Sequence, residues 1–338
     1  MNTTYQSKSR GILLGLAIGD ALGAPVEFLS SPGSLYISEM GDKIAHFHDN
    51  YRSPKGVWTD DTEMALCIAD SLLVNQGYDS YDIMRRFRAW AKEGYRTYDN
   101  KPAADVGLQT TRAINEFNRR PIVPKDHPKT TSAGNGAIMR LAPIIIANTS
   151  PRQKDIEPTL KMAALSCRET HDSIAAITTT ILFATTLYCA LRGLSKNQIS
   201  ADYSKWIHLS AEYNEFWLEN TDALVGRALD KHPTKFKDLG GYIVDAFAIS
   251  LWGLLHYDNF KDGMLAVIRL GGDTDTNGAC YGQLAGAYYG YEDIPAEWRK
   301  GVYKSDEITK IADELLKMPK CPILRTRFED DEYFKEPD

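Results

Sequence analysis

The chain has 338 residues, 43% hydrophobic and 25% charged, with a formal net charge of -6 at pH 7. This is the balance of a soluble globular protein long enough for one large domain or two small ones, and its acidity argues against an extended nucleic-acid surface. The five cysteines (Cys67, Cys167, Cys189, Cys280 and Cys321) are odd in number, scattered and without a Cys-x-x-Cys pair, so they indicate neither a disulfide framework nor a zinc site and suit a reducing cytoplasm.

The first element opens like a signal peptide. In "KSRGILLGLAIGDALGA" basic residues precede an apolar run, but Asp20 ends that run and Glu27 follows. No stretch approaches the roughly 18–20 apolar residues of a membrane span, so a buried helix and no membrane contact are expected. Apolar residues at three- and four-residue spacing predict helices over residues 62–73 and 82–94. Residues 119–128, "RRPIVPKDHP", read as a Pro-rich surface loop. Helical spacing returns over 160–167. Residues 172–193 read as a long core helix closed by Gly193, although their threonines and isoleucines also suit strands. Further helices are expected over 242–256 and 311–318. The end, "FEDDEYFKEPD" (328–338), reads as an acidic solvated tail. Alternating patterns are few and no βαβ rhythm occurs. The expected fold class is all-α, with many helices in one domain over residues 1–338.

Two of these segments carry glycine rows. Gly11, Gly15, Gly19 and Gly23 fall every four residues, and so do Gly278, Gly282, Gly286 and Gly290. Each interior glycine costs a helix roughly 1 kcal/mol relative to alanine. Chance does not account for two such rows, and they make sense where another backbone comes close. Acids end the first row (Asp20, Glu27) and begin the second (Asp273, Asp275). The two helices are therefore expected to pack antiparallel and close, with both acidic ends at one place.

Two oxygen clusters bear on the chemistry. "WTDDTEMAL" supplies Thr59, Asp60, Asp61 and Thr62; "GGDTDTNG" supplies Asp273, Thr274, Asp275 and Thr276. Each alone is better explained as a helix cap with first-turn acids. The pairing points further. Two distant segments each offer two carboxylates and a threonine hydroxyl, hard ligands suited to magnesium or manganese. Four carboxylates converging without a cation would repel. A di-iron helical site is disfavoured, because it uses Glu-x-x-His on two helices and the chain has none.

Six segments in order, "GILLGLAIGDALGAPVEF", "WTDDTEMAL", "DVGLQTTRAI", "SAGNGAIMRLAPI", "CRETHD" and "GGDTDTNGACYGQLAGAYYG", resemble the ADP-ribosylglycohydrolase family over roughly residues 9–318. The resemblance implies a compact orthogonal helical bundle holding two divalent ions, Mg2+ or Mn2+, about 3.5–4 Å apart. It implies the ligands Thr59, Asp60, Asp61, Asp273, Asp275 and Thr276, all present here. The implied reaction is hydrolysis of the C1″ bond between ADP-ribose and a protein side chain, through an oxocarbenium-like transition state. Glu27 in "APVEF" matches the family glutamate near the scissile bond and is expected as acid/base or water-orienting group, catalytic together with Asp61 and Asp275.

The remaining site residues are expected to hold substrate. "TTSAGNGAIMR" (130–140) is a small-residue loop running into a helix, where free N–H groups favour anions. Ser132, Gly134, Asn135 and Gly136 match the family's pyrophosphate-binding positions, with a plain helix start as the alternative. Asp105 matches an aspartate near the distal ribose, and is otherwise a first-turn acid. His171 in "ETHD" is read as substrate-positioning rather than metal-ligating, and Tyr242 as the flat partner for adenine.

The expected partners are an ADP-ribosylated protein and the ADP-ribose product, with no nucleic acid. Arginine is the expected acceptor. Serine or an O-acetyl-ADP-ribose ester are alternatives within the same chemistry. An immunity protein that binds an ADP-ribosylating toxin, or protects its target, is the non-catalytic alternative; a two-metal phosphoesterase is a third and would yield AMP or phosphate.

Overall fold

A computed structural model describes residues 3–28, 54–123, 131–149, 155–201, 228, 240–319 and 321–328. The acidic tail beyond Phe328 and most of the Pro-rich loop lie outside these residues. The fold is all-α, as expected from the sequence. In chain order the helices are α1 (Thr3–Gly23), α2 (Asp60–Asn75), α3 (Ser80–Glu93), α4 (Leu108–Arg119), α5 (Ala142–Asn148), α6 (Glu157–Arg168), α7 (Ile174–Leu191), α8 (Lys196–Ala201), α9 (Ile243–His256), α10 (Phe260–Ile268), α11 (Thr274–Tyr289), α12 (Ala296–Gly301) and α13 (Ser305–Lys317). Among the described residues, strand is confined to one parallel pair, β1 (Tyr78–Asp79) and β2 (Ile323–Arg325), with Tyr78 opposite Ile323.

The glycine rows set the centre of the molecule. α1 and α11 run antiparallel and make the most extensive helix pairing among the described elements. A methyl group added at Gly11, Gly15 or Gly19 would overlap the backbone carbonyl of Gly286, Gly282 or Gly278 respectively, and one at Gly23 would overlap that of Thr274. The second row mirrors this, with Gly278, Gly282 and Gly286 facing the carbonyls of Gly19, Gly15 and Gly11. Backbone thus lies on backbone, as only small residues permit. The C-terminal end of α1 is thereby fixed beside the N-terminal end of α11.

α7 shows how a threonine-rich segment remains a helix. Ser173 caps it by accepting from the Ala176 N–H, and Gly193 follows its end in the left-handed region. The buried hydroxyls of Thr180, Thr185 and Thr186 donate to the carbonyls of Ala176, Ile181 and Leu182, one turn back. Their polar groups are satisfied inside the helix, and their methyls pack as apolar surface.

The expectation that no stretch nears a membrane-spanning length is corrected. Two helices, Thr4–Val26 and Ile174–Leu191, are long and apolar enough by length and composition. In both, 89% of the apolar window is buried inside the protein, so they form core. All five cysteines are free and buried, in line with the absence of a disulfide framework. The segment around β2 is clamped by a buried ion pair, with Arg327 Nε 2.9 Å from Glu169 Oε2; Tyr78 and Ser80 donate to the other Glu169 oxygen.

Candidate functional site

Thr59 stands at the N-terminus of α2, but its side chain makes no capping bond. Asp20 of α1 takes that place. Its carboxylate accepts the Thr59 N–H at 2.9 Å, the Thr59 hydroxyl at 2.7 Å, the Thr62 N–H at 3.1 Å and the Thr62 hydroxyl at 2.6 Å. The Thr59 proton is committed, and its oxygen keeps lone pairs for a further partner. Asp60, Asp61 and Glu63 occupy the first turn, where the helix dipole favours negative charge.

α11 repeats the arrangement. Asp273 stands at its N-terminus without a side-chain capping bond, and instead accepts from Asn135 Nδ2 at 2.9 Å. Asp275 accepts the Thr276 N–H at 2.8 Å. The Thr274 hydroxyl donates to the Gly23 carbonyl at 2.8 Å and ties this end to α1. Capping therefore does not account for the Thr59 or Asp273 side chains. Beyond α1, a short turn (Ala24–Val26) delivers Glu27, half-buried. The next residue, Phe28, is in the left-handed region at φ 47°, and its N–H donates to the Gly272 carbonyl at 2.8 Å. Glu27, Asp273 and Asp275 each offer a carboxylate oxygen, and these atoms lie within 4.8 Å of one another.

The acids act on one another. Burial pushes Asp61 well above the ordinary carboxylate range, reinforced by Asp20, Asp60 and Asp273 and eased by the Thr276 hydroxyl. Burial, then Asp105, Asp20, Glu63 and Glu27, raise Asp60. Burial, then Asp273, Asp61 and Glu27, raise Asp275. Asp61 is fully buried, and among the described residues the Thr276 hydroxyl alone acts on it as a donor, without forming a full hydrogen bond to either oxygen. A buried carboxylate left this way is costly unless a charge compensates it. The hard oxygens that act on it, from Asp60, Asp273, Asp275 and Thr276, are of the kind that suits a divalent cation, and Asp273 and Asp275 are also grouped with Glu27.

The small-residue loop lies against this cluster in a form the sequence did not suggest. It leads into a single turn (Asn135–Ala137) rather than an α-helix. Its N–H groups are not all free: Gly134 N–H donates to Gln109 Oε1 at 3.0 Å, and Asn135 N–H to the Gly241 carbonyl at 2.9 Å. The backbone pairs with the start of α9, where Gly134 stands opposite Tyr242. This brings half-buried Tyr242 beside the loop, and Gly241 to a place where an added Cβ would lie 3.3 Å from Asp273 Oδ2. His171 is buried beneath the loop, its ring filling the room that Gly134 and Gly136 leave. Burial and then the charge of Arg140 lower it to about 3, so it is neutral. Ser132 is exposed and lines a separate cavity of about 110 Å³ with Gln109, Arg168 and Asp172. Asp20, Gln109 and Gly241 were not singled out for these roles, because nothing local in the sequence signals them.

Asp105 joins the acids through an adjoining cleft of about 190 Å³, lined by Trp58, Thr59, Asp60, Glu63, Tyr98, Asp99, Lys101 and Asp105 among others. Its lining carries the carboxyl groups of Asp60, Glu63, Asp99 and Asp105 against the ammonium of Lys101. Glu63 accepts from Trp90 Nε1 at 2.5 Å, and burial pushes it up to about 8.

The ADP-ribosylglycohydrolase family model matches residues 1–322. The chain is 30% identical to the ADP-ribosylarginine hydrolase Tri1 of Pseudomonas putida (strain GB-1), over 91% of this chain and 77% of that one. It is 29% identical to the ADP-ribosyl-[dinitrogen reductase] glycohydrolase of Rhodospirillum rubrum, over 93% and 97%. A solved structure described as an ADP-ribosylglycohydrolase-related protein complex superposes with a TM-score of 0.72 at 32% identity, covering 94% of this chain and 99% of that chain. The six ordered segments, the glycine-paired helices and the two facing acidic helix starts thus have one explanation: the chain belongs to the ADP-ribosylglycohydrolase family and is an enzyme of it.

Proposed function

We propose that the protein is a cytoplasmic hydrolase that uses two divalent ions, Mg2+ or Mn2+, to remove mono-ADP-ribose from modified arginine by cleaving the C1″ bond. The observation that carries this reading is that Asp61 at the start of α2 and Asp273, Asp275 and Thr276 at the start of α11 act on one another, beside the close-packed ends of α1 and α11. Thr59, Asp60, Asp61, Asp273, Asp275 and Thr276 would hold the ions. Bound there, they would supply positive charge that orients the ribose diol and a water.

The chain's own residues account for the rest. Glu27 stands beside Asp273 and Asp275 on a turn stitched to Gly272, suited to protonate the leaving nitrogen or orient the water. The loop around Asn135 and Gly136, with Tyr242 beside it, is the proposed seat of the pyrophosphate and adenine. The acidic cleft at Asp105 favours arginine over serine as acceptor, because its excess of carboxyl groups suits a guanidinium and its half-buried Tyr98 ring suits the guanidinium plane.

The test is release of ADP-ribose from matched arginine- and serine-linked substrates, with Mg2+ or Mn2+, beside Asp275→Ala and a chelated control. Release from arginine alone, abolished by both controls, is the expected result. Release from serine would keep the chemistry and overturn the acceptor. AMP or phosphate as product would indicate phosphoesterase chemistry, and ADP-ribose binding without cleavage of either substrate would favour a binder, such as a protein that counters an ADP-ribosylating toxin.

A further inference from the structure

Arg140 is fully buried, and no carboxylate lies within ion-pair distance of it among the described residues. Its guanidinium lies 4.9 Å from the Phe87 ring, and Nη2 approaches the Ser166 carbonyl at 3.5 Å and the Thr170 hydroxyl oxygen at 2.5 Å. Nε has no partner. A buried charge so thinly compensated is expensive, and its shortest bond goes to a hydroxyl next to the site.

That bond decides the state of its neighbours. A guanidinium only donates, so Thr170 Oγ1 accepts from Arg140. The hydroxyl has one proton to give, and His171 Nδ1 lies 2.7 Å away. Were Nδ1 instead protonated, the Thr170 proton would be left without an acceptor in a buried position, which is unfavourable. Nδ1 is therefore the acceptor and Nε2 carries the ring proton. Nε2 faces the loop: a Cβ added at Gly134 would lie 3.2 Å from it, and one at Gly136 would lie 3.1 Å from it. No protein acceptor reaches this N–H among the described residues. Burial and the nearby Arg140 charge keep the ring neutral.

We infer that Arg140 and Thr170 are positioning residues: through the chain Arg140–Thr170–His171 they fix His171 as a neutral Nε2–H donor, offered between Gly134 and Gly136 to an acceptor oxygen of the bound ligand. The ligand part rests on the reading of this loop as the ADP-ribose seat; the tautomer part does not.

The experiment is 15N NMR of histidine-labelled protein, the His171 signal being assigned by its loss in His171→Asn, followed by calorimetric titration with ADP-ribose. In the free protein His171 is expected with Nε2 protonated and Nδ1 bare. Thr170→Val should mix the tautomers and weaken ADP-ribose binding roughly tenfold, the loss of one good hydrogen bond. Thr170→Ser should restore both. A protonated Nδ1 or a cationic ring at neutral pH in the wild type would overturn the inference, as would a Thr170→Val protein with unchanged tautomer and affinity. Should Thr170→Val not fold, the wild-type tautomer and Thr170→Ser decide. If the tautomer is as inferred and ADP-ribose does not bind the wild type, the relay stands and the reading of the pocket falls.

Discussion

The Thr59 hydroxyl donates to the Asp20 carboxylate across 2.7 Å, joining α2 to α1 at residues 39 positions apart. Asp20 is the cap of a helix to which it does not belong, and it aims the α2 start at α11. Asp20→Ala leaves the N–H and hydroxyl groups of Thr59 and Thr62 without their acceptor. Loss of about 2–4 kcal/mol of unfolding free energy is expected, since each buried orphan costs about 1–3 kcal/mol. Asp20→Asn should lose less. Urea unfolding checks both, and wild-type stability in the alanine variant would contradict the capping role.

Gly15→Ala places a methyl on the Gly282 carbonyl. Backbone has nowhere to move between two packed helices, so a loss of about 3 kcal/mol or more is expected. Gly107→Ala is the control: its Cβ would meet only Thr110 Oγ1 at 4.0 Å, and a change within about 1 kcal/mol is expected. Thermal melts of the two variants should therefore separate widely.

This helix pair was legible in the sequence, because a four-residue glycine row states both the face and the closeness of its partner. The two acidic helix starts were legible for the same reason, since residue type and spacing carry the information. What was not legible is tertiary. The capping of α2 comes from Asp20 on another helix. The loop N–H groups are consumed by Gln109 and by the Gly241 carbonyl, partners that only folding brings near. Glu169 sits inside the "CRETHD" segment yet serves the C-terminal clamp through Arg327. The threonines of α7 left strand and helix open until their hydroxyls were seen bonding one turn back.

The raised carboxyl groups give a stability prediction with a definite sign. Asp60, Asp61 and Asp275 are raised by burial first, and Glu63 reaches about 8. A carboxyl with a folded value above its unfolded value binds protons more tightly when folded, so its contribution is fully present below the unfolded value and lost as pH rises through the folded one. His171, lowered to about 3, works the other way below about 6.5, but it is one group against four, so chelated protein is expected to melt higher near pH 5 than near pH 8. Saturating Mn2+ should remove or reverse that order, because the bound ions need ionised carboxylates. A chelated protein that gains stability steadily from pH 5 to 8 would contradict the assignment.

Gln109 holds the loop from both sides, accepting from Gly134 N–H at 3.0 Å and donating to the Ser132 carbonyl at 3.0 Å. Gln109→Ala is expected to raise KM roughly tenfold with kcat changed less than about threefold, the loss of about 1.4 kcal/mol of binding without a loss at the reacting bond. Steady-state kinetics on ADP-ribosylated arginine separates the two parameters. An unchanged KM would show that the loop needs no clamp.

Whether the α2 and α11 starts together form one divalent-ion site is tested most directly by Mn2+ titration followed by electron paramagnetic resonance. Two Mn2+ per chain are expected, with a coupled spectrum from ions about 4 Å apart. Asp275→Ala should abolish the coupled signal while the fold is retained by circular dichroism. No Mn2+ uptake by the wild type, or the same coupled signal in Asp275→Ala, would contradict a shared site.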